Sequence, residues 1–503
     1  MKTAKNWCAV GLSVTLLLCT AGCNADVREP QAPDYSAYTH KFDFYAYSGP
    51  NDGSWREYGE WYYTGEDFRT VERYKEYKDA GMTILLAQSS APINDLGDER
   101  REKDAETARM VMDRAQEAGL DKVILTDYRI QAFSRQVGGL IGEGKPFADE
   151  AELDTEMERC LAFYNDHPVF YGVMLGDEPR WDAVEAYGQV YKSLKRVAPD
   201  MYVQYNLFPM ALTAMEVGYY TPIENFEGSE YEELYARYTL YVESFLDSMG
   251  VDYVQYDSYP MQESKGIIPE YIRGLQITAD IAKERGIEFY NVTQTMASEQ
   301  NGNLAYRKIE EPDAYWLNNM LLGFGVKQIS YYTYWTKQDL SLTEWCVDGS
   351  TFITRYGEKT ELYYFMQKIM AENQKFAPVI KNFEYQASNV YSVTPTAFPS
   401  MQTGMATSGS EFNALKEVSV NKECALVTEL YDEENEYYMY MAQNIVNPIY
   451  KGSKAYQTIK LTFDEKYNYA MVFENGVGRK VKLDKHSFTV KQSPGYAVFV
   501  LPY

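Results

Sequence analysis

The feature that most constrains this chain is an eightfold alternation. Short apolar or β-branched runs begin near residues 41 ("KFDFYAY"), 82 ("MTILLAQ"), 121 ("DKVILTDY"), 169 ("VFYGVMLGDEP"), 201 ("MYVQYNLFP"), 251 ("VDYVQYDSYP"), 287 ("IEFYNVTQT") and 326 ("VKQISYYTYW"). Between them lie stretches of helical period, such as "AETARMVMDRAQEAGL" and "YIRGLQITADIAKERG". Several end in the glycine suited to a helix C-terminus, at Gly81, Gly119, Gly250 and Gly286. Runs apolar on both faces belong in a parallel sheet covered by helices. Eight such units predict a (β/α)8 TIM barrel over residues 40–383, and the count of eight separates it from an open doubly wound sheet.

The texture changes near residue 384. Stretches such as "NVYSVTP", "CALVTELYD", "EYYMYMAQNI", "TIKLTF", "AMVFEN" and "GYAVFVLPY" are short, alternating and bounded by turns. They predict an antiparallel β-sandwich over 384–503, with "SMQTGMATSGSEFN" (400–413) as a loop within it. A helix over 360–382 is expected to complete the barrel and lead into this domain. This second domain is expected to serve the barrel as a structural accessory.

At the other end, Lys2 and Lys5 precede the short apolar run "CAVGLSVTLLLC", and "TAGC" closes it with small residues before Cys23. This pattern is that of a signal peptide over 1–23. It resembles a bacterial lipobox, with Thr20 in the place of the customary leucine and Cys23 as the lipidated residue. The apolar run is too short to span a bilayer. Residues 24–39 then read as a tether, and the expected location is extracytoplasmic, with the lipid anchor the only membrane contact.

The chain has 503 residues and a formal net charge of −25. That balance argues against nucleic acid and anionic lipid as partner surfaces. Beyond the leader, Cys160, Cys346 and Cys424 are odd in number and form no CxxC pair, so neither a disulfide framework nor a zinc motif is expected. His40, His167 and His486 are isolated. No metal or cofactor is expected, and a Ser-His-Asp triad is disfavoured.

In a barrel of this kind, function sits at the C-terminal ends of the strands. The first strand offers Asp43, Tyr45 and Tyr47 on one face, and the third ends in Asp127, Tyr128 and Arg129. The fourth ends in adjacent acids, Asp177 and Glu178, followed by Pro179. Gln204 and Asn206 come from the fifth strand, and Gln255, Asp257 and Tyr259 from the sixth. Gln294 ends the seventh, and Tyr332, Tyr334 and Trp335 end the eighth. Amides, hydroxyls, carboxylates and aromatic rings suit a neutral polyhydroxylated ligand. Any one of these acids can instead cap the next helix, Asp177 that starting near Arg180. Strict alternation points Gly172, Met174, Gly176 and Glu178 into the barrel, which desolvates Glu178 above small residues and raises its pKa.

The "GDEP" after the fourth strand, with "YDSYP" and "YYTYW" in support, resembles the (β/α)8 glycoside hydrolase superfamily, whose members place an acid/base Glu there. The resemblance implies a glycoside hydrolase with Glu178 as general acid/base and a carbohydrate substrate held by Asp43, Tyr45, Asp127, Gln204, Asn206, Tyr259, Gln294, Tyr334 and Trp335. It also implies a nucleophilic Glu at the end of the seventh strand. This chain has Gln294 there, with Glu299 farther along the loop. Two second carboxylates remain open. Asp177 beside Glu178 resembles the substrate-assisted β-N-acetylhexosaminidases, in which the Asp orients a 2-acetamido group. Asp257 lies two strands away, about 10 Å at the backbone, and inward side chains narrow that to roughly 6–9 Å, the separation of an inverting pair. The missing strand-seven Glu keeps one non-enzymatic alternative, a glycan-binding lipoprotein on a degenerate barrel.

Overall fold

The computed structural model describes residues 30–503 apart from 58–59, 89, 94–97, 211–227, 264–265, 269, 301–302, 337–343, 392–410, 423, 451 and 453–454. Cys23, the leader and most of the 400–413 loop therefore lie outside the described residues. Eight parallel strands follow the expected runs: β1 (Asp43–Ala46), β2 (Leu85–Ala87), β3 (Val123–Thr126), β4 (Phe170–Asp177), β5 (Tyr202–Asn206), β6 (Tyr253–Ser258), β7 (Glu288–Gln294) and β8 (Gln328–Tyr332). They form two four-stranded parallel sheets, ordered β1-β8-β7-β6 and β2-β3-β4-β5. Backbone bonds join the sheets at both edges. Phe44 O accepts from Thr83 N (2.8 Å) and Ile84 N (3.1 Å), and Leu207 N donates to Gln255 O (3.0 Å). The result is an α/β domain whose sheets resemble a barrel core.

Each strand is followed by a helix: α1 (Val71–Asp79), α2 (Asp98–Glu117), the short α3 (Tyr128–Ser134) with α4 (Glu150–Leu161), α5 (Val184–Val197), α6 (Glu230–Met249), α7 (Glu270–Arg285), α8 (Glu311–Gly323) and α9 (Glu361–Ile380). Alternation along the strands sorts the side chains as the pattern requires. Tyr45, Tyr47, Ile84, Leu86, Ile124, Met174 and Val292 pack together inside. Their neighbours Phe44, Ala46, Leu85, Ala87, Val123, Leu125 and Val173 join the larger core beneath the helices. Helix α6 begins with a capping box between Ser229 and Glu232 and stops at Gly250, whose φ of +72° is a conformation glycine adopts freely.

The C-terminal region is antiparallel and β-rich. A six-stranded sheet runs in the order 384–391, 425–432, 437–444, 497–502, 469–474 and 477–482, facing a three-stranded sheet of 415–420, 457–463 and 487–492. Val427, Ala442, Ile459, Leu461, Val472 and Val500 fill the space between. The outer face of the larger sheet docks on α8, where a β-carbon on Gly323 would stand 2.4 Å from the Met441 side chain. Gln443 Nε2 donates to Trp316 O at 3.0 Å across the same junction. The end of the expected tether is not free. Tyr35 is buried and donates to Asp432 Oδ2 at 2.7 Å, and Asn435 Nδ2 donates to Tyr38 Oη at 2.9 Å. The span able to act as a tether therefore ends before Tyr35.

Candidate active site at the ends of strands β4 and β6

Strand β4 does not keep strict alternation to its end. Met174 pairs with Gln204, but the next pairs are Gly176 with Tyr205 and Asp177 with Asn206, so Leu175 is an extra residue and β4 bulges there. Beyond the bulge the faces exchange. Gly176 points towards the helices, where an added β-carbon would stand 2.9 Å from the Tyr187 ring. Asp177 points inward beside Asn206, whose Nδ2 donates to Asp177 Oδ1 at 3.0 Å. The inward placement of Gly176 expected from alternation is thus corrected. Helix α3 holds the bulge in place: Ser134 Oγ donates to Leu175 O (2.7 Å) and Gln131 Nε2 to Met174 O (3.3 Å).

Glu178 follows with φ of +48°, a left-handed conformation costly for a residue with a β-carbon. Its N–H donates to Asn206 O at 2.8 Å, and Pro179 O accepts from Tyr241 Oη at 2.7 Å, so the turn is tied down on both sides. Glu178 is half-buried, and its charge reaches the Tyr259 hydroxyl together with those of Asp257 and Asp177. The charges of all three carboxyl groups therefore meet at Tyr259.

Asp257 lies deepest, 4% exposed, and among the described residues its Oδ1 has no hydrogen-bond partner. Burial, and then the charge of Asp177, push its pKa up to about 7, against hydrogen bonds from Tyr259 and Asn206 that favour the carboxylate. Burial raises Asp177 as well, but the Asn206 amide, the Arg135 charge and the Tyr47 hydroxyl all oppose the rise. The two environments push the pair apart: Asp257 retains a proton near neutrality while Asp177 is the more easily ionised. Above them, the Tyr259 ring stacks on Tyr332 (centroids 5.3 Å apart) and meets Tyr306 edge-on (6.1 Å).

The remaining candidates separate into floor and frame. Tyr45 and Gln204 are fully buried one layer below, joined through Gln204 Nε2 to Tyr45 Oη (3.3 Å) and on to Tyr47 Oη (3.1 Å). They support the site without reaching its surface. Asp43 is corrected: it starts β1, at the opposite end of the strands, and pairs with Lys122 at 2.8 Å. Asp127 turns outward to cap α3, bound by Arg129 Nε (2.9 Å) and Tyr164 Oη (2.9 Å). Arg129 is thereby occupied and does not cross the barrel to Asp257.

Gln294 is a backbone clamp, accepting from Met261 N (2.9 Å) and donating to Met296 O (3.1 Å). Tyr334 and Trp335 follow the end of β8 and turn under α1: Tyr334 meets Tyr77 (4.8 Å) and Trp335 meets Phe68 (4.7 Å). Glu299 sits in a strand, Ser298–Gln300, of a separate antiparallel sheet. The sequence reading missed Tyr306, which a hairpin of the β7 loop carries to the wall, and Arg135. Neither has a strand-end position to mark it.

The Asp127 assignment predicts a clean separation of stability from chemistry. Asp127→Asn leaves a buried guanidinium without its counter-charge, at a cost of roughly 3–5 kcal/mol. Urea denaturation is expected to register that loss, while the folded fraction keeps the wild-type activity per molecule. A catalytic defect in a variant of unchanged stability would return Asp127 to the site.

Cys160, Cys346 and Cys424 are all buried and none is in a disulfide, and burial pushes the Cys160 thiol up to about 12. Among the described residues no group of three or more His, Cys, Asp or Glu side chains is placed to hold a metal ion, and no helix is long and apolar enough to cross a membrane.

No family profile and no curated protein sequence matches the chain. Among solved structures it is similar to a glycoside hydrolase family 5 protein from Bacteroides vulgatus, with 9% identity and a TM-score of 0.49 over 92% of this chain and 89% of that one. It is also similar to the α-amylase of Geobacillus thermoleovorans complexed with acarbose, with 12% identity and a TM-score of 0.47 over 92% and 98%. A third is a GH30 endoxylanase from Clostridium papyrosolvens, with 12% identity and a TM-score of 0.38 over 93% and 98%. Likeness of that degree carries nothing about chemistry, which rests on the side chains of the bulged strand and its neighbours.

Proposed function

We propose that this protein is a glycoside hydrolase acting outside the cytoplasm, anchored through lipid at Cys23, with its site on a closed (β/α)8 barrel. The observation that carries the reading is the β4 bulge, which turns Asp177 inward, where its charge acts on Asp257, and leaves Glu178 to follow directly at the strand end. Three carboxyl groups in a half-buried cleft cost stability, and glycosidic bond cleavage needs both a proton donor and a carboxylate. Glu178, at the mouth, protonates the departing glycosidic oxygen. Asp177 is the carboxylate facing the sugar, oriented by Asn206 and Tyr47. It opposes the positive charge developing at the anomeric carbon or, on a 2-acetamido sugar, orients the acetamido group whose carbonyl attacks that carbon; water then adds to the anomeric carbon and returns a proton to Glu178. Neutral Asp257 lets Asp177 keep its charge, and the tyrosine wall packs on the sugar ring. The pKa of about 7 favours a second reading, in which Asp257 is the proton donor and Glu178 holds a hydroxyl.

The test is sugar release from a panel of aryl glycosides and natural glycans, N-acetylglucosaminides and N-acetylgalactosaminides included. Release by wild type that collapses in Glu178→Gln is the expected result, and confinement to 2-acetamido sugars assigns Asp177 the orienting role. No release from any substrate, with glycan binding that Glu178→Gln leaves unchanged, would make the protein a glycan-capture lipoprotein and overturn the enzyme.

A further inference from the structure

Arg135 stands out among the arginines. Every other arginine with a described side chain makes a hydrogen bond, ion pair or ring contact, such as Arg129 with Asp127, Arg180 with Asp182 and Arg307 with Asp313. The Arg135 guanidinium is exposed and bonds to no described residue, in a chain with 73 acidic and 48 basic side chains. Its position is fixed by its neighbours. It follows directly on Ser134, the residue that holds the β4 bulge through Leu175 O, so its backbone is pinned two residues from Asp177. The loop it opens packs on the β4 loop: Gly138 N donates to Asp182 O (2.8 Å) and Leu140 N to Gln189 Oε1 (2.6 Å). Two acids beyond Glu178 on that side have partners of their own, Asp182 with Arg180 and Glu185, in the first turn of α5 beside Gly139, with Gln189 (3.3 Å).

Two further groups belong to the same segment as Arg135. Tyr128 is 39% exposed and begins α3, seven residues before Arg135 and so on the same helical face two turns away. The Arg135 charge acts on the Tyr128 hydroxyl and on Asp177 alike, so both lie within its electrostatic reach. Lys145, later in the loop, brings its Nζ within 3.4 Å of where a β-carbon on Gly138 would stand. An exposed guanidinium whose charge reaches Asp177 thus lies between an exposed ring earlier in its segment and a second cation later in it.

We propose that Tyr128 and Arg135 form a subsite for a sugar carrying an anionic group, a carboxylate or a sulfate ester, bound beside Asp177. The inference rests on the glycoside hydrolase reading and names its substrate class. The Tyr128 ring stacks on the pyranose face, and the guanidinium pairs with the anionic group through charge-assisted hydrogen bonds of fixed geometry. Without such a cation the acids of the cleft would repel an anionic sugar.

The experiment compares full-length wild type, Arg135→Gln and Arg135→Lys on matched neutral, uronate-containing and sulfated oligosaccharides. Turnover gives kcat/KM, and calorimetry on the Glu178→Gln background gives binding. Wild type is expected to prefer an anionic series over the neutral one, the uronates if the group is a carboxylate and the sulfated sugars if it is an ester. In Arg135→Gln that preference is expected to fall roughly 10- to 100-fold, mostly through KM, with partial rescue in Arg135→Lys. Equal losses on neutral and anionic sugars, with a displaced pH profile, would mean that Arg135 acts on Asp177 and not on substrate, and would overturn the subsite. If wild type releases no sugar at all, the binding arm still decides. A preference for anionic sugars that Arg135→Gln abolishes supports the subsite without the hydrolase, and its absence overturns both.

Discussion

Asp257→Asn is expected to make the protein more stable at pH 8 and to remove a pH dependence that wild type shows between about pH 4 and pH 7. The folded protein holds a proton on Asp257 up to about pH 7, because the carboxyl is buried and faces Asp177. In the unfolded chain an aspartate releases its proton near pH 3.9. Between those values the folded state binds more protons than the unfolded one, so stability falls as pH rises. The contribution is fully present below about pH 4 and lost by the time the pH passes through about 7. Its size is on the order of 4 kcal/mol, from the separation of the two pKa values. Asparagine keeps the shape of the side chain and carries no charge at any pH, so the variant escapes this loss. Urea denaturation of both proteins at pH 5 and pH 8 makes the comparison, and the difference between the slopes reports Asp257 together with its effect on Asp177. Parallel pH dependences would show that Asp257 is an ordinary, solvated carboxylate and that the cleft is not built as described.

A gain in stability on removing Asp257 also bears on function. A buried acid that weakens the fold and has an unpartnered oxygen is the kind of group a protein keeps for its chemistry. The same reasoning does not extend to Asp127. That acid is buried too, but it has a bidentate arginine, a tyrosine hydroxyl and a helix N-terminus to satisfy it.

The frame of the molecule was legible because its signals are local. Each strand is a short run rich in apolar or β-branched residues, each helix a 3.6-residue pattern, and the glycines that end them have the left-handed backbone their positions demand: Gly81, Gly119, Gly250 and Gly286 all have positive φ. The eight strands and the antiparallel C-terminal region follow from these alone. Side-chain direction at the strand ends was not legible, because it depends on contacts made elsewhere. The Leu175 bulge is set by Ser134 and Gln131, some forty residues earlier in the chain, and without it Asp177 would face the helices. Asp127 and Gln294 stand at strand ends as expected, yet each has a nearer backbone group to bind than any ligand. Tyr334 and Trp335 were misread because β8 stops at Tyr332. Asp43 was misread because its strand begins with it.

The two carboxylates of the "GDEP" turn are expected to fail in different ways when neutralised, and the difference assigns their roles. A general acid matters in proportion to the leaving group's need for a proton. Glu178→Gln should therefore lose about 10²–10⁴-fold in kcat/KM on natural glycosides and on aryl glycosides with basic leaving groups. On a dinitrophenyl glycoside, whose leaving group departs without protonation, the loss should be far smaller. On the proposed mechanism Asp177→Asn removes a charge that faces the anomeric carbon in every transition state, so its loss should be similar across leaving groups. Asp257→Asn serves as the third arm, because a proton donor at that position would show the leaving-group dependence itself. If Asp257→Asn, and not Glu178→Gln, separates good from poor leaving groups, the proton comes from the buried acid with the pKa of about 7 and Glu178 is a binding residue. If neither variant separates them, the three-carboxylate cluster performs no general acid catalysis, and the reading of this cleft as a hydrolase site fails on its own chemistry.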